Sequence, residues 1–374
     1  MKQKKIYYWS PFLSPIATCK AVLNSADSLM KYSSNYQSFI LNFFGEFDKF
    51  VNNKEKRKLR FIDHYPSLVN FLPYEGKLKS RLSFLLIFIL GFFPLKKILK
   101  ENKPDFLIIH LITSLPLFLL LFFKFETKFI LRISGYPKMN FLRKFLWKLT
   151  LKKIYLITCP TENTLRYIKS LNIVDSSKIK LLYDPIISVR EINNKKKEKI
   201  GLNNFYLAAG RLTKQKNFMF LCRAFKEIIK ENDQIKLLIA GNGEEESRLK
   251  EFIRKNNLGN NITLLGYIDN IFPYFKNSKG FILTSLWEDP GFVLIEASYS
   301  RTPILSSNAW PGPVELIKDE FNGIVFENNK IENFIKKFKY FESFKNIDKL
   351  KLNNLRLSKK FTLYYHYKSL NKLI

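Results

Sequence analysis

The sequence predicts an α/β protein with two domains, each built on a parallel sheet, and three observations carry this prediction. The chain has 374 residues, and about 150 residues per domain is the usual scale. Short runs rich in Ile, Leu, Phe and Val recur between segments with helical spacing, as is typical of strands buried on both faces. Residues 189–199 are polar and charged without apolar periodicity, which predicts a linker between two domains of similar size.

The predicted strands fall into two groups, one on each side of this linker. They are residues 5–9, 106–110, 128–133, 155–159 and 179–182 in the first half, and 204–209, 235–240, 261–265, 280–284, 303–306 and 323–326 in the second. Residues 361–374 carry aromatic and Leu side chains at helical spacing, which predicts a terminal helix.

Two apolar segments raise the question of a membrane. Residues 82–93 are about a dozen apolar positions, below the roughly 20 that span a bilayer. Because basic residues flank this run, a buried helix and a helix in the membrane interface both stay open. Residues 106–123 approach spanning length but include polar residues and Pro116, so a buried strand, turn and helix is favoured. The N-terminal apolar run is too short for a secretory signal and predicts a first strand.

The charge of the chain implies an anionic partner. It has 63 Lys+Arg against 32 Asp+Glu, a formal net charge of +31, and residues 1–190 carry 32 of the basic and 12 of the acidic side chains. Nucleic acid, an acidic membrane face and phosphorylated small molecules are all candidates, and an AT-rich coding sequence is a competing explanation for some lysines. An apolar content of 46% excludes a disordered basic protein. Three distant cysteines support neither a disulfide framework nor a zinc cluster.

Candidate chemistry lies in the second half, where predicted strands end. After strand 204–209 come Gly210, Arg211 and Lys216, a glycine turn with cations at a helix start that suits a diphosphate. Taken alone, this segment favours a solvated basic loop. A second glycine turn, residues 241–243, follows the next strand and is a weak signal by itself. The strongest signal is residues 284–297, where a strand, an acidic turn with Pro-Gly and a helix start place free N–H groups opposite an anion.

Two glutamates belong to this strongest segment. Glu288 stands in the loop and Glu296 stands eight positions later, inside the helix. A carboxylate on an otherwise apolar helical stretch needs hydrogen-bonding partners. Sugar hydroxyls are natural partners for it.

These motifs, taken in order, resemble a known family. They are Gly210-Arg-Leu with Lys216-Asn217, Ala240-Gly-Asn-Gly243, Glu288 and Glu296, Pro313-Val-Glu315 and Asn322-Gly323. Together they resemble the donor half of the family-4 retaining glycosyltransferases. The first half is similar more loosely: residues 103–110 resemble the family's Pro-Asp, strand and His segment, and residues 180–184 its strand before the interdomain linker. The chain departs from the pattern after its first strand, where residues 14–18 replace the usual glycine pair.

The resemblance implies a GT-B fold, with two Rossmann-like α/β/α domains facing a cleft. Residues 1–188 are expected to bind the acceptor and residues 189–358 the nucleotide sugar. Residues 359–374 are expected to form a helix that packs back on the N-terminal domain.

Roles for side chains follow from the resemblance, position by position. Arg211 and Lys216 are expected to neutralise the donor diphosphate without a metal, which stabilises the leaving group as its charge develops. Glu296 is expected to bind the ribose hydroxyls and Glu288 the transferred sugar. His110 is expected near the sugar and the acceptor, although a histidine satisfied at a strand end is an equal alternative.

Backbone groups complete the expected site. Gly210 forms the turn beside the diphosphate, and the amides around Gly291, Phe292 and Val293 are expected to hold sugar or phosphate oxygens. The backbone of Ile268 is the place for the edge of the base. Retention is expected to proceed by attack on the same face, with the departing phosphate taking the acceptor's proton.

The function expected from the sequence is therefore a metal-independent retaining transfer that uses no cofactor besides its donor, a UDP- or GDP-linked sugar. The acceptor is a glycan or a polyprenyl-phosphate-linked molecule, and the enzyme works peripherally on the anionic inner face of the cytoplasmic membrane, in surface polysaccharide or glycoconjugate synthesis. One alternative is a soluble transferase or nucleotide-sugar epimerase acting on free sugars. A nucleic-acid-binding protein is a second alternative, disfavoured because no helix-turn-helix, finger or RNA-binding signature is present.

Overall fold

A computed structural model describes residues 3–13, 17–51, 59–73, 77–137 and 139–374 of the chain. The chain forms two compact units. Unit 1 comprises the chain up to Ile186 together with Leu363–Ile374, and unit 2 is Ile187–Thr362. The chain therefore crosses from one unit to the other twice, after Ile186 and after Thr362. These two crossings lie two residues before and four residues after the boundaries expected at 188 and 358.

Unit 1 is built on a seven-stranded parallel sheet. Its strands are β1 Lys4–Trp9, β2 Tyr36–Asn42, β3 Arg60–Asp63, β4 Phe106–Ile109, β5 Lys128–Arg132, β6 Leu156–Cys159 and β7 Ile179–Leu181. Their order is β3-β2-β1-β4-β5-β6-β7, so the order reverses between β1 and β4. In the register, Tyr8 of β1 lies between Ile40 of β2 and Ile108 of β4.

The described residues before the first crossing form the helices α1 Ala17–Tyr32, α2 Asp48–Val51, α3 Lys77–Glu101, α4 Ser114–Phe122, α5 Phe141–Thr150 and α6 Glu162–Ser170. Because crossovers between parallel strands are right-handed, α3 to α6 cover one face of the sheet and α1 the other. Strand β1 shows the division: Tyr7 and Trp9 enter the core cluster shared with α3 to α6, whereas Ile6 and Tyr8 enter the cluster shared with α1. Alternate side chains of a strand point to opposite faces.

Unit 2 repeats this architecture. Its strands are β8 Tyr206–Ala209, β9 Leu237–Ala240, β10 Ile262–Gly266, β11 Gly280–Leu283, β12 Trp287–Glu288, β13 Ile304–Ser307, β14 Trp310–Pro311 and β15 Ile324–Phe326. Six of them form a parallel sheet in the order β10-β9-β8-β11-β13-β15, and β12 pairs with β14. The helices are α7 Val189–Lys195, α8 Phe218–Glu231, α9 Glu246–Lys255, α10 Phe272–Asn277, α11 Phe292–Tyr299, α12 Pro313–Leu316, α13 Ile331–Ser343 and α14 Ile347–Ser358.

The terminal helix, α15, comprises Leu363–Asn371 and belongs to unit 1. It packs against α1, where Ser25 Oγ lies 2.8 Å from His366 Nε2. At its far end Tyr36 donates a hydrogen bond to Asn371. The prediction that a terminal helix packs on the N-terminal domain is confirmed.

The predicted strands are all present, but the strands β2, β3, β12 and β14 were missed, and the first part of the predicted linker is a helix of unit 2. β2 contains Gln and Ser among its apolar residues, and the four-residue β3 begins with Arg60 and ends with Asp63. Residues 189–195 form α7. This helix is short, and the structure records only Ile192 as buried in it, so no apolar period was visible. An ion pair of 2.9 Å between Glu191 and Lys195 lies along it.

The two apolar segments have different environments. Residues 106–123 are the predicted strand, turn and buried helix, namely β4 and α4. Residues 82–93 lie within the 25-residue helix α3. One side of this helix is buried and includes Ile87, Leu95 and Leu99, and the other side is exposed. In the described part of the chain, α3 is also the one helix whose length and composition would allow it to cross a membrane.

Candidate functional site

The sheet of unit 2 has one place where its strand order reverses, between β8 and β11. In open parallel α/β sheets, ligands bind outside the carboxyl ends of the strands at such a point. The loop after β8 holds residues 210–217 and the loop after β11 holds residues 284–291. These are the two segments that the sequence singles out most strongly.

An ion pair joins the two loops at this point. Lys216 Nζ contacts Glu288 Oε1, and the side chains are 12% and 10% exposed. Ser285 Oγ donates a second hydrogen bond to the same carboxylate oxygen, at 2.8 Å. The loops are held together further by Leu286 N–H, which donates to Gln215 O at 2.8 Å. Lys216 is therefore a preorganised cation, because Glu288 holds its ammonium group and the hydrogen bond between the loops holds its backbone segment.

Glycines are required here by close packing. Gly210 has φ +148°, and a Cβ at this position would lie 2.9 Å from Lys216 Cε, so the lysine stem lies across the glycine. Gly241 has φ +140°, and its Cβ would lie 1.8 Å from the carbonyl oxygen of Gly210. The loops after β8 and β9 thus pack backbone against backbone, and the glycine turn at residues 241–243 is explained by this packing.

The N-terminus of α11 lies next to the ion pair. Its N-cap, Gly291, has φ +99°, and a Cβ there would lie 3.5 Å from Glu288 Cβ. The first N–H groups of a helix have no intrahelical partner and carry partial positive charge. Phe292, Val293 and Glu296 share the partly exposed side of this helix, whereas its other residues up to Tyr299 are buried.

Two further expected residues lie at the same edge of the sheet without a contact to the pair among those that the structure records. Arg211 is exposed and directly follows Gly210. Ile268 follows β10, two strands away from β8, which corresponds to about 10 Å at the usual strand spacing. Gly266, with φ +68°, ends β10 and accepts a hydrogen bond from Gly241 N–H at 2.7 Å. The site thus extends along the ends of four strands.

His110 lies at the matching point of unit 1, between β1 and β4. Its N–H donates to Trp9 O at 2.9 Å, but its ring is buried, and neither ring nitrogen has a hydrogen-bond partner among the described residues. Burial, with the nearby Arg132 charge, holds the pKa of His110 well below its usual range. The ring lines a cavity of about 10 Å³ together with Arg132, Asp184 and His366, and the expected role of His110 at the acceptor stays a prediction.

Sequence reasoning missed two sets of residues. Ser285 orients Glu288, and its signal was a hydroxyl three positions before an acid in the same loop. Arg132 and Asp184 form a buried ion pair of 2.5 Å in unit 1, and their signal was a charge at the end of an apolar strand. Of residues 14–18, which replace the family's usual glycine pair, residues 14–16 lie outside the described residues. In the described part of the chain, no group of three or more His, Cys, Asp or Glu is placed to hold a metal.

The chain shows similarity to known proteins throughout this region. Residues 189–354 match the family model described as glycosyl transferases group 1. Over this segment, unit 2 is similar to the group 1 glycosyltransferases. The matched segment contains every site residue that the sequence predicted except His110.

Relatives and solved structures extend the comparison. An uncharacterized glycosyltransferase of Methanocaldococcus jannaschii is 33% identical over 247 residues, 60% of this chain and 61% of that protein. The Escherichia coli UDP-Gal:alpha-D-GlcNAc-diphosphoundecaprenol alpha-1,3-galactosyltransferase is 38% identical over 147 residues, 37% of this chain and 38% of that enzyme. The matched parts thus span less than two thirds of these relatives.

A solved structure covers the whole chain. Anabaena HepE, crystallised with UDP and glucose, superimposes with a TM-score of 0.72 at 13% identity, over 99% of each chain. At this identity the likeness concerns the fold alone. Both units have the α/β architecture of the GT-B fold, as the sequence predicted.

Proposed function

We propose that the protein is a retaining glycosyltransferase that moves a sugar from a UDP- or GDP-linked donor to a glycan or polyprenyl-phosphate-linked acceptor. The observation that carries the proposal is the Lys216–Glu288 pair. It lies beside the N-terminus of α11, at the point where the strand order of unit 2 reverses, and unit 2 is the part of the chain that matches the group 1 family. The E. coli relative supports a lipid-linked acceptor, since its name specifies a diphosphoundecaprenol-linked substrate. HepE supports a UDP donor, since it was crystallised with UDP.

The proposed chemistry depends on charge that develops on the leaving group. The bond between the anomeric carbon and the diphosphate oxygen breaks while the acceptor hydroxyl bonds to the same face of that carbon. The acceptor's proton passes to the departing phosphate oxygen. Lys216, Arg211 and the amides at the start of α11 stabilise the negative charge there, and preorganised donors of this kind dominate many rate enhancements. We propose that these cations take the place of a metal.

The carboxylates have separate proposed tasks. Glu288, which already holds Lys216 and accepts from Ser285, keeps a second oxygen for a hydroxyl of the transferred sugar. Glu296 lies on the partly exposed side of α11 and binds the ribose hydroxyls. Ile268 offers its backbone to the base. This division leaves no carboxylate assigned as a covalent nucleophile, in keeping with attack on the same face.

The experiment that tests the donor is a screen of UDP-, GDP- and ADP-sugars by thermal stabilisation, because a bound donor raises stability with the logarithm of its saturation. We expect one nucleotide class to stabilise the full chain and Glu296→Ala to lose that response. Glu251→Ala, at an exposed glutamate of α9 paired with Lys255, is the matched control. The proposal would be overturned if no nucleotide sugar stabilised the protein while nucleic acid bound to it with a steep salt dependence.

Transfer is then followed with the stabilising donor and membrane-extracted acceptors. Product with the donor's anomeric configuration, formed in the presence of EDTA, supports retention without a metal, and an inverted product contradicts it. An isomerised nucleotide sugar formed without acceptor would instead identify an epimerase. The proposed location is the inner face of the cytoplasmic membrane, where nucleotide sugars and lipid-linked acceptors meet.

A further inference from the structure

The side of unit 1 covered by α3, α4 and α5 exposes large apolar side chains to solvent. On α3 they form one stripe at helical spacing, with exposed fractions between 53% and 81%, namely Leu78, Leu82, Leu85, Ile89 and Phe93. At 1.5 Å per residue this stripe is about 22 Å long. Soluble monomers rarely expose a contiguous apolar patch of this extent without using it.

Two neighbouring helices extend the stripe into a surface. α4 packs against both α3 and α5, and its exposed Phe118 lies 5.4 Å from Phe88 of α3, measured between ring centroids. α5 exposes Phe141, Phe145 and Leu149 one turn apart. Trp147 of the same helix packs against the core, so the exposed apolar side of α5 is distinct from its buried side.

The charged residues of these three helices are basic with one exception. α3 carries exposed basic residues near both of its ends, Lys79 and Arg81 at one and Lys97 and Lys100 at the other. Its one acidic residue, Glu101, is 4.0 Å from Lys97. α4 has no charged residue, and α5 has Arg143, Lys144 and Lys148 without an acid. An apolar centre with a basic rim complements an anionic lipid surface, where acyl chains lie beneath acidic headgroups.

The helix α3 lies on its unit and does not leave it to cross a bilayer. Its length and mean hydropathy of 2.0 would allow it to span a membrane, yet a third of its most apolar stretch is buried within the protein. A Cβ at Gly91 would lie 3.0 Å from Leu115 and 3.2 Å from Trp9, so the helix packs closely on the sheet. Crossing the membrane would remove these contacts, whereas lying flat keeps them and buries only the exposed stripe.

We propose that the α3–α5 surface docks unit 1 on an anionic lipid bilayer, with the stripe from Leu78 to Phe93 entering the headgroup and acyl boundary. This deepens the proposed function by naming the surface that meets the membrane. The docking is argued from the surface itself, and only its use in glycosyl transfer rests on the proposed function. Lipid binding and donor binding are measured separately, so each proposal fails independently.

The test is co-sedimentation of the full chain with vesicles of phosphatidylcholine alone and of phosphatidylcholine with phosphatidylglycerol. We expect binding to the anionic vesicles and a loss of at least about tenfold in partitioning for the triple variant Leu82→Ser, Ile89→Ser, Phe93→Ser. The triple variant Val189→Ser, Leu202→Ser, Leu352→Ser removes exposed apolar side chains of unit 2 and should bind as the unchanged chain does. Arg81→Gln and Lys100→Gln should each lower binding about fivefold, on anionic vesicles alone.

A reporter variant makes the result independent of folding losses. Ile89→Trp adds a tryptophan to the stripe, and its emission should shift to the blue and be quenched by brominated lipid, whereas Leu352→Trp should show neither effect. Unaltered binding by the triple stripe variant, or no binding by the unchanged chain, overturns the proposal. So does self-association that the stripe variant abolishes while vesicle binding persists, because the occupant is then a second copy of this chain.

Discussion

The two units present the same parallel sheet with an ion pair near its carboxyl edge, yet the two pairs have different surroundings. In unit 1, Arg132 donates to Asp184 and to Leu182 O, both at 2.5 Å. In unit 2, Lys216 meets Glu288 where glycine loops and the start of α11 converge. Burial is similar, so burial does not distinguish the pairs. What differs is the neighbours: buried side chains of unit 1 surround Arg132 and Asp184, whereas glycine-turn backbone and a helix start lie beside Lys216 and Glu288.

The pair of unit 1 secures a segment of chain. Asp184 and its neighbours directly precede the first crossing between units. Besides the bonds from Arg132, Asn24 donates to Pro185 O at 2.7 Å, and His366 Nδ1 lies 2.7 Å from Tyr183 O. Four consecutive residues are thereby held by side chains of β5, α1 and α15. The same strand order thus carries one pair that fastens the fold and a second pair that we propose binds the donor.

The largest expected effect is on stability, from Arg132→Ala. Removing one member of a buried pair leaves an uncompensated charge, which costs about 3–5 kcal/mol. Urea unfolding of the full chain measures it, and donor-induced stabilisation of unit 2 should persist. Lys103→Ala breaks an exposed pair with Glu126 of the same unit and should cost about 0–1 kcal/mol. Equal losses in the two variants would contradict the assignment of Arg132 to a fastening role.

The next effect is on catalysis, from Lys216→Ala. Loss of one preorganised donor at a developing charge lowers kcat by about 10²–10³-fold, and we expect a smaller loss of stability than for Arg132→Ala because Ser285 still satisfies Glu288. Turnover with the stabilising nucleotide sugar measures it. Lys214→Ala, at an exposed lysine of the same loop, should retain activity. Activity near that of the unchanged chain in Lys216→Ala would remove the lysine from the site.

The site of unit 2 was predictable from sequence because its signals are local. Glycines at positive φ, cations at a helix start and an acid beside Pro-Gly all stand within single strand-to-helix turns. The α/β class was likewise predictable from apolar runs, since buried parallel strands are apolar on both faces. The strand order then follows from packing, and with it the meeting of Lys216 and Glu288, 72 positions apart.

The remainder could not be predicted because its determinants are distant along the chain. Arg132 and Asp184 are in contact although they lie 52 positions apart in the sequence, and Ser25 and His366 are in contact across 341 positions. β3 is a short edge strand without an apolar run of its own. α7 depends on one buried residue, Ile192. The exposed stripe of α3 was invisible in sequence, since composition does not tell which side of an apolar helix is covered.

A third expected effect is on the pH dependence of unit 1. Burial lowers the pKa of His366 to about 3, against an unfolded value near 6.5. The neutral ring therefore contributes stability that is full above pH 6.5 and falls as pH drops toward 3, by about 1.4 kcal/mol per pH unit. Between pH 7 and pH 5 the loss is about 2 kcal/mol.

The comparison of the unchanged chain with His366→Asn isolates this loss, because Asn does not titrate. Glu46, whose pKa burial raises to about 8, is present in both proteins and cancels. The pKa of His110 is lowered mainly by burial and by Arg132, which both proteins keep, and the His366 charge is its smallest cause. Hydrogen exchange of the α15 amides at pH 7, 6 and 5 measures the local opening free energy. A difference between the two proteins that stays constant over this range would contradict a neutral buried His366.

The smallest expected effect comes from Gly210→Ala, which tests how Lys216 is placed. A Cβ there meets Lys216 Cε at 2.9 Å, and φ of +148° disfavours a side chain. The flexible lysine moves aside, so we expect about a tenfold loss in kcat/KM, equal to about 1.4 kcal/mol of transition-state stabilisation. Gly259→Ala, where a Cβ meets nothing within 4 Å, should change neither activity nor stability by more than about 0.5 kcal/mol. If Gly210→Ala loses stability but keeps kcat/KM, the glycine serves the loop alone, and the precise placement of the ammonium group does not limit the reaction.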